Sequence, residues 1–526
     1  MNSRLTRRQY VAAVTAAAIA SAGGCADRVD AGLSGETGGD DPETDAHELE
    51  WTTYRGDAAR SGVRPSESGP GASLSVAWEL AVADLLEELE GLEADEYALE
   101  KPLDDSGSGA RTTTEIGISN VVLSGSVVAW TIGYSWLDRT AEEEKFRLRI
   151  VAADRETGAI RWSRELGTPE ESRRHDWFAP EVGDAGIYVP HRNDDGIELL
   201  VHDPDTGELA EGFALELPHE IGQPLVADGT IYVVETDDGE SRVRAFDAVD
   251  GESEWAVHHS TGAGFGRGIP GVTVRDGTVW SFDPGSTSGG EPAFVARNAT
   301  DGSVRFREPL ELPEPTVTGM DTAHLSSPTF ASDSGYAAGD VDSLHLRDRA
   351  PLVSFDPADG SERWQYEPPA VDFAGRTISA VYGLPVVVDG LVLATGIGDP
   401  DSVDGTSGGE DESGGEGEGR DGSADEDKNE NGNGNGNENE NYIFFAIDEA
   451  DGTVEWTVDL PAPAYAPVAA GDVIYVPLPN AVYAISTSGE RLDRLGKVAL
   501  RSGDYPPAIG GGWLFTATID SIVAIE

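Results

Sequence analysis

The sequence predicts an all-β fold: an eight-bladed β-propeller of four-stranded antiparallel blades, with the last blade closed by an N-terminal strand. Three observations predict it. A thirteen-residue phrase recurs along the chain, a second apolar phrase precedes each copy, and the pair repeats at intervals of about 45–50 residues. The copies of the first phrase are 150–162, 199–211, 243–255, 294–306, 352–364 and 444–456.

Each copy of the phrase reads as a β-hairpin, with an apolar strand, an acid or Asn at the fifth place, Gly at the ninth and usually an aromatic residue at the thirteenth. Gly can take the positive φ of a tight turn, and the acid can accept hydrogen bonds from turn amides. We therefore expect these acids to be structural rather than catalytic. The fifth places are Asp154, Asp203, Asp247, Asn298, Asp356 and Asp448, and the ninth are Gly158, Gly207, Gly251, Gly302, Gly360 and Gly452.

The second phrase predicts the other hairpin of each blade. It consists of Pro, a few apolar residues, a turn with Asp or Gly, and another apolar strand, as in 224–235, 385–396 and 467–478. Proline is tolerated at the start of a strand, where no ladder donor is needed. Two such hairpins in succession make one blade, whose strands we call a, b, c and d.

The thirteenth place predicts the number of blades. Six copies and a degenerate seventh at 482–495 account for seven blades, and Trp78 in 73–80 has no strands a to c before it. The C-terminal segment 508–526 has strands a to c and no strand d. We therefore expect the strand around Trp78 to complete the eighth blade, which leaves no open edge. The thirteenth places are Trp162, Glu211, Trp255, Phe306, Trp364, Trp456 and Asp493.

The repeat resembles the A-x-D-x-x-T-G-x-x-x-W consensus of propellers built from pyrroloquinoline-quinone (PQQ)-type repeats, and the resemblance covers 51–526. The opening 51–62, WTTYRGDAARSG, is similar to the W-x-x-x-R-G-D-x-x-x-x-G start of secreted members. The family includes quinone-dependent alcohol and sugar dehydrogenases and a non-enzymatic outer-membrane assembly lipoprotein. The resemblance therefore implies the fold and leaves the function open.

The charge of the chain is extreme, with a formal net charge of −61 over 526 residues. Lysine occurs only at Lys101, Lys145, Lys428 and Lys497, so nearly all cations are Arg. An acidic, Lys-poor surface beside core-forming residues is typical of proteins adapted to molar salt. Nucleic acid is not an expected partner, because a polyanion would be repelled.

The N-terminus predicts export and anchoring. Residues 1–25 contain the pair Arg7 and Arg8, a short apolar stretch and small residues before Cys25. They resemble a twin-arginine lipoprotein signal in which Cys25 becomes lipidated. Residues 26–50 read as a disordered acidic tether. We expect the protein on the extracellular face of the cell membrane, held by a lipid.

Cysteine use bears on catalysis. Cys25 is the only cysteine, so the propeller contains no disulfide and no thiolate metal site. Alcohol dehydrogenases of the resembled family usually carry a vicinal disulfide against the quinone, and many carry a C-x-x-C-H haem module. Sugar-oxidising relatives lack the disulfide, so the absence weakens the enzyme interpretation without removing it.

The long connections between strands all belong on one face of the predicted propeller. The a–b and c–d turns are short, while the b–c and d–a connections are long, and these two classes emerge on opposite faces, here called the turn face and the loop face. Loops on a rigid scaffold often carry function. Within them, 399–441 reads as a disordered acidic, Gly- and Asn-rich insertion, and its cation binding stays open. Residues 83–101 have Leu at helical spacing and predict a short helix on the loop face, which either covers apolar surface there or binds a partner.

Residues just before each strand a should surround the loop-face mouth of the channel. Aromatic rings with Arg, Gln and His could stack on and hydrogen-bond a planar anionic ligand, or they could simply fill the channel. No metal site is predicted. The candidate cofactor-binding residues are Trp177, Gln223, Arg267, His324, Arg376, Tyr382, Tyr465 and Tyr505.

Our leading hypothesis is a surface-anchored, non-enzymatic propeller, monomeric and without cofactor, that binds a protein or cell-envelope component through the loop face. The first alternative is a PQQ-dependent dehydrogenase acting on an alcohol or sugar, with PQQ and calcium at the channel mouth, Arg267 or Arg376 on its carboxylates and His324 as base. The second alternative is a glycan- or small-solute-binding module that uses the same aromatic ring.

Overall fold

A computed structural model gives the fold of the chain within the unit formed by residues 44–526. The residues that the structure describes are 51–53, 56–57, 60–90, 116–138, 143–167, 178–192, 196–210, 213, 215–218, 220–237, 240–258, 271–283, 293–309, 328–331, 333–338, 349–373, 376–398, 442–496, 498, 506–518 and 521–526.

The strands form eight antiparallel sheets, which confirms the predicted eight-bladed propeller. In the following bounds, two ranges given for one strand are separated by an irregular break. Blade 1 is Ile116–Ile118 with Val122–Ser124 (a), Val127–Asp138 (b), Glu143–Asp154 (c) and Ile160–Gly167 (d); blade 2 is Glu181–Gly183, Gly186–Arg192, Ile197–His202 and Leu215–Leu217; blade 3 is Glu220–Ile221 with Leu225–Ala227, Thr230–Asp237, Glu240–Asp247 and Ser253–His258; blade 4 is Thr273–Arg275, Thr278–Asp283, Ala293–Asn298 and Val304–Pro309.

The second half of the ring repeats this pattern with added short strands. Strands a of neighbouring blades contact one another, so they line the central channel. Blade 5 is Thr329–Ala331, Ser334–Ala337, Leu352–Phe355 and Glu362–Tyr366; blade 6 is Arg376–Val388, Leu391–Ile397, Tyr442–Asp448 and Val454–Leu460, flanked by Arg349–Ala350 and Val371–Phe373; blade 7 is Val468–Ala470, Val473–Leu478, Ala481–Ser486 and Arg491–Gly496, with Val63–Arg64 added; blade 8 is Ala508–Gly510, Trp513–Ala517, Ser521–Ile525 and Val76–Ala81.

The N-terminal strand closes the ring as predicted. Val76–Ala81 pairs antiparallel with Ser521–Ile525, and Trp78 lies opposite Ala524. The Trp78 indole then reaches blade 1, where Nε1 donates to the Arg155 carbonyl oxygen at 2.9 Å. The first and last parts of the described chain therefore share one blade.

The acids of the repeated phrase make turns, as the sequence predicts. In blade 1, Asp154 Oδ1 accepts hydrogen bonds from the amides of Glu156 and Thr157, and Arg161 Nη2 donates to Asp154 Oδ2 at 2.6 Å. These bonds, with that from Arg161 first, lower the pKa of Asp154 below its usual range. Equivalent amide bonds occur at Asp203, Asp247, Asn298, Asp356 and Asp448. All six ninth-place glycines have φ between +66° and +82°.

The tryptophan at the thirteenth place joins five of the blades to the next blade. The Trp364 ring of blade 5 covers Gly452 in the c–d turn of blade 6, and its Nε1 donates to the Glu449 carbonyl oxygen at 2.9 Å. A Cβ on Gly452 would lie 2.9 Å from Trp364 Cδ2, so only glycine lets the ring approach this closely. The same contact is made by Trp78, Trp162, Trp255 and Trp456 with Gly158, Gly207, Gly302 and Gly489.

The junction between blades 2 and 3 uses a different donor. Its thirteenth place is Glu211, which lacks an indole. The carbonyl oxygen of Ala248, equivalent to that of Glu449, instead accepts a hydrogen bond of 2.6 Å from the Tyr188 hydroxyl on strand b of blade 2. The backbone acceptor is thus satisfied in a junction where the repeat has lost its tryptophan.

Two loop-face connections contain regular structure. In the connection between blades 5 and 6, Val371–Phe373 forms a hairpin with the start of Arg376–Val388. The predicted helix is Val82–Glu90, where Leu85 and Leu86 are buried in the core of blades 1, 7 and 8. This confirms that the helix covers apolar surface. The remainder of 83–101 and the insertion 399–441 lie outside the described residues.

Candidate functional site

The central channel contains the start of the propeller sequence, and we call its described residues, 51–53, 56–57 and 60–69, the channel segment. Its first residue pairs with strand a of blade 1, where the backbones of Trp51 and Leu123 exchange two hydrogen bonds of 3.3 and 2.9 Å. The next residue, Thr52, accepts a 2.6 Å bond at its carbonyl oxygen from the amide of Val182 in strand a of blade 2. The segment therefore bridges two walls of the channel.

Arg60 fastens the middle of the channel segment to a third wall. Its side chain is fully buried, and Nε and Nη2 donate to the carbonyl oxygen of Val272, just before strand a of blade 4, at 3.3 and 2.9 Å. Its backbone has φ of +56°, which is strained for a residue with a side chain. A buried cation in a strained conformation marks a position that the surrounding structure strongly determines.

The last part of the channel segment lies along strand a of blade 7. Val63 and Arg64 pair in parallel with Ala469 and Ala470, and the Gly471 amide donates to the Arg64 carbonyl oxygen at 3.0 Å. The Arg64 guanidinium also lies 5.1 Å from the centre of the Trp51 ring. The two ends of the segment therefore contact each other inside the channel.

Gln223 is engaged within the protein. Its side chain is 2% exposed, Oε1 accepts from the Ala179 amide at 3.0 Å, and Nε2 donates to the Ala179 carbonyl oxygen at 2.9 Å and to Glu181 Oε1 at 3.2 Å. The side-chain amide of Gln223 thus links blade 3 to blade 2 by hydrogen bonds. Binding a ligand through Gln223 would require breaking these bonds.

The two described tyrosines of the predicted ring lie at blades 6 and 7. Tyr382 is buried in the long strand a of blade 6, and this burial raises the pKa of its hydroxyl. Tyr465 precedes strand a of blade 7, is half-buried and packs against the core, and this burial raises the pKa of its hydroxyl. Of the predicted ring residues with described side chains, none is cationic, so none matches the carboxylates of a quinone.

Five of the predicted ring residues have side chains outside the described part of the structure. Arg376 begins strand a of blade 6, and its side chain is outside the described part of the structure. Trp177, Arg267, His324 and Tyr505 also lie outside the described residues. The quinone site suggested by the resemblance therefore stays a prediction at these five positions.

Glu181 is a channel residue that the sequence pattern did not single out. It lies in strand a of blade 2, is fully buried, and accepts a hydrogen bond from Gln223. An acid inside the second apolar phrase, directly after Pro180, is the signal that could have identified it. Within the described residues, no three His, Cys, Asp or Glu side chains are grouped to hold a metal ion.

None of the helices among the described residues has the length and apolar character needed to cross a membrane.

Comparisons with known proteins give the same fold. A profile of the family described as outer membrane protein assembly factor BamB matches residues 147–340. No curated protein sequence matches the chain.

Among solved structures, the quinohemoprotein alcohol dehydrogenase of Comamonas testosteroni has a TM-score of 0.52 and 13% identity, covering 92% of this chain and 81% of its own. The quinohemoprotein alcohol dehydrogenase ADHIIG of Pseudomonas putida HK5 has a TM-score of 0.52 and 12% identity, and the match covers 91% of this chain and 80% of that protein. BamB of Moraxella catarrhalis has a TM-score of 0.45 and 13% identity, and the match covers 72% of this chain and 93% of that protein.

At these identities the likeness to solved structures shows the fold alone. The repeated phrase, the eight blades and the profile match over residues 147–340 together support a β-propeller built from PQQ-like repeats.

Proposed function

We propose that the protein is a surface-anchored, non-enzymatic binding or scaffold module that engages a protein or cell-envelope component through its loop face. The observation that carries the proposal is the channel segment. At the level of strands a of blades 1, 2 and 7 the channel contains the chain's own backbone, so a partner is left with the surface around the loop-face mouth.

The mode of attachment is part of the same proposal. The twin-arginine pair, the small residues before Cys25 and the acidic residues 26–50 favour export, lipidation and a tethered propeller in molar salt. The profile match to the BamB assembly factor agrees with a non-enzymatic scaffold. The protein would then act as a monomer held at the outer face of the cell membrane.

Quinone-dependent oxidation of an alcohol or sugar is the second candidate, because the fold extends over most of two quinohemoprotein alcohol dehydrogenases. The C-x-x-C-H haem module that many quinone-dependent alcohol dehydrogenases carry cannot be formed here, since Cys25 is the only cysteine of the chain. Gln223 is already bonded within the protein, and a ligand would have to bind on the loop side of the channel segment.

An activity assay separates the two candidates. The purified protein, incubated in molar KCl with PQQ and calcium, is given alcohols and aldoses together with a redox dye. We expect no dye reduction and no quinone absorbance that stays with the protein after gel filtration. Substrate-dependent dye reduction would overturn the proposal in favour of the dehydrogenase.

Photo-crosslinking in intact cells tests the binding surface. A benzophenone amino acid replaces Glu87, which is exposed on the helix at the loop face, and a matched variant carries it at Glu156, exposed in a turn-face turn. We expect a discrete crosslinked band from position 87 and none from position 156. Equal patterns from the two positions would contradict binding through the loop face.

A further inference from the structure

The first leg of the channel segment shows where the chain enters the propeller. Every strand a runs from the loop face to the turn face, because a d–a connection precedes it and the a–b turn follows it. Trp51 pairs antiparallel with Leu123, the middle residue of its strand a. The chain at Trp51 therefore runs from the turn face towards the loop face.

The second leg returns to the turn face. Val63–Arg64 runs parallel to strand a of blade 7, and Ser66 then lies beside Gly471 in the a–b turn of that blade. The Ser68 carbonyl oxygen accepts a bond of 3.0 Å from the amide of Gly512, in the a–b turn of blade 8. From there the chain reaches the outer strand of blade 8. The segment is thus a loop that enters and leaves the channel at the turn face.

The turn face has room for a tether. In the described blades its turns are short, as in Asp228–Gly229 and Asp389–Gly390, and the c–d turns close within the repeated phrase. The long connections emerge on the opposite face. A chain leaving the channel at the turn face therefore meets tight turns and no long loop.

From this path we propose that the turn face is directed towards the lipid membrane and that the loop face is presented away from it. The inference rests on the proposed anchoring through Cys25. A flexible tether of the length of 26–50 has a root-mean-square span of about 25–30 Å. A six-residue strand, such as Thr278–Asp283, is about 20 Å long, and the tether would have to pass this length as well as the radius of the ring before the loop face could lie against the lipid. The turn face is therefore nearer the lipid on average.

Energy transfer to labelled lipid measures this orientation. The full-length lipid-bearing protein is reconstituted in phosphatidylcholine vesicles with an acceptor-labelled lipid, in molar KCl. Donor dyes are attached to three separate variants: Glu156→Cys and Ala358→Cys, exposed in the turn-face turns of blades 1 and 5, and Glu88→Cys, exposed on the loop-face helix. Blades 1 and 5 lie across the ring, so the pair detects a propeller lying on its side.

We expect both turn-face labels to transfer more efficiently than the Glu88→Cys label, by about two-fold for a dye pair whose half-transfer distance is about 45–50 Å, the span of the tether and the strand together. Equal transfer from the three labels, stronger transfer from Glu88→Cys, or strong transfer from only one turn-face label would overturn the orientation. Absence of transfer from all three labels would refute the anchoring itself, and with it that part of the proposed function.

Discussion

The contact between Trp364 and Gly452 predicts that replacing Gly452 lowers the free energy of unfolding for two separate reasons, backbone strain and a steric clash. Gly452 has φ of +77°, and an added Cβ would lie 2.9 Å from the Trp364 ring. Gly390, in the a–b turn of the same blade, has the same φ of +77°, and nothing lies within 4 Å of its added Cβ. The two glycines therefore share the backbone strain and differ in the steric clash.

Gly390→Ala should lower the free energy of unfolding by about 1–2 kcal/mol, the cost of the left-handed conformation for a residue with a Cβ. Gly452→Ala carries the same cost plus about 1–3 kcal/mol for forcing the Trp364 ring away. Trp364→Ala alone should cost about 3–5 kcal/mol. In the Trp364→Ala background, Gly452→Ala should cost no more than Gly390→Ala does in the unchanged protein.

Urea denaturation in molar KCl, with the midpoint and slope recorded for each variant, measures these values. The double-mutant cycle isolates the interaction between residue 364 and residue 452. If Gly452→Ala and Gly390→Ala have the same effect in the unchanged protein, or if the Gly452→Ala cost survives removal of the indole, the steric explanation of the ninth-place glycine is wrong.

Two further predictions concern buried side chains. Burial holds the pKa of His202 below its usual value of about 6.5. Between the pKa of the folded chain and that of the unfolded chain, only the unfolded chain binds the proton. The free energy of unfolding should therefore fall as the pH drops below about 6.5. His202→Phe, which copies Phe355 at the same place of the repeat, should lessen this fall, whereas parallel urea-midpoint profiles between pH 7 and 5 would contradict the reasoning. Arg60→Ala should cost about 1.5–3 kcal/mol, because it removes the charged donors to the Val272 carbonyl oxygen, and an unchanged urea midpoint would show that the channel segment does not depend on them.

Local features of the fold were predictable from the sequence. The acid and glycine of each turn interact within five residues, so a thirteen-residue phrase contains nearly everything that the turn needs. Trp78 could be assigned to the last blade because only one strand was missing and only one unpaired strand remained. The same counting could not foresee Tyr188, whose hydroxyl replaces an indole from a different strand of the same blade.

The channel could not be predicted in the same way. Arg60 bonds to Val272, 212 residues further along the chain, and no repeat links the two. Gln223 lies in the break within strand a of blade 3, and its partner Ala179 belongs to the neighbouring blade. A spacing rule indicates which end of a strand a residue occupies, and it does not say whether another blade has already taken its hydrogen bonds.

The closing strand Val76–Ala81 has a consequence for biosynthesis. Its partner, Ser521–Ile525, is synthesised about 440 residues later, and strand a of blade 7, which holds Val63 and Arg64, is also synthesised long after them. At about 5–20 residues per second, the N-terminal part waits tens of seconds for these partners. The ring can close only once Ser521–Ile525 has been synthesised, so a chain truncated before Ser521 keeps an unpaired strand edge in its last blade.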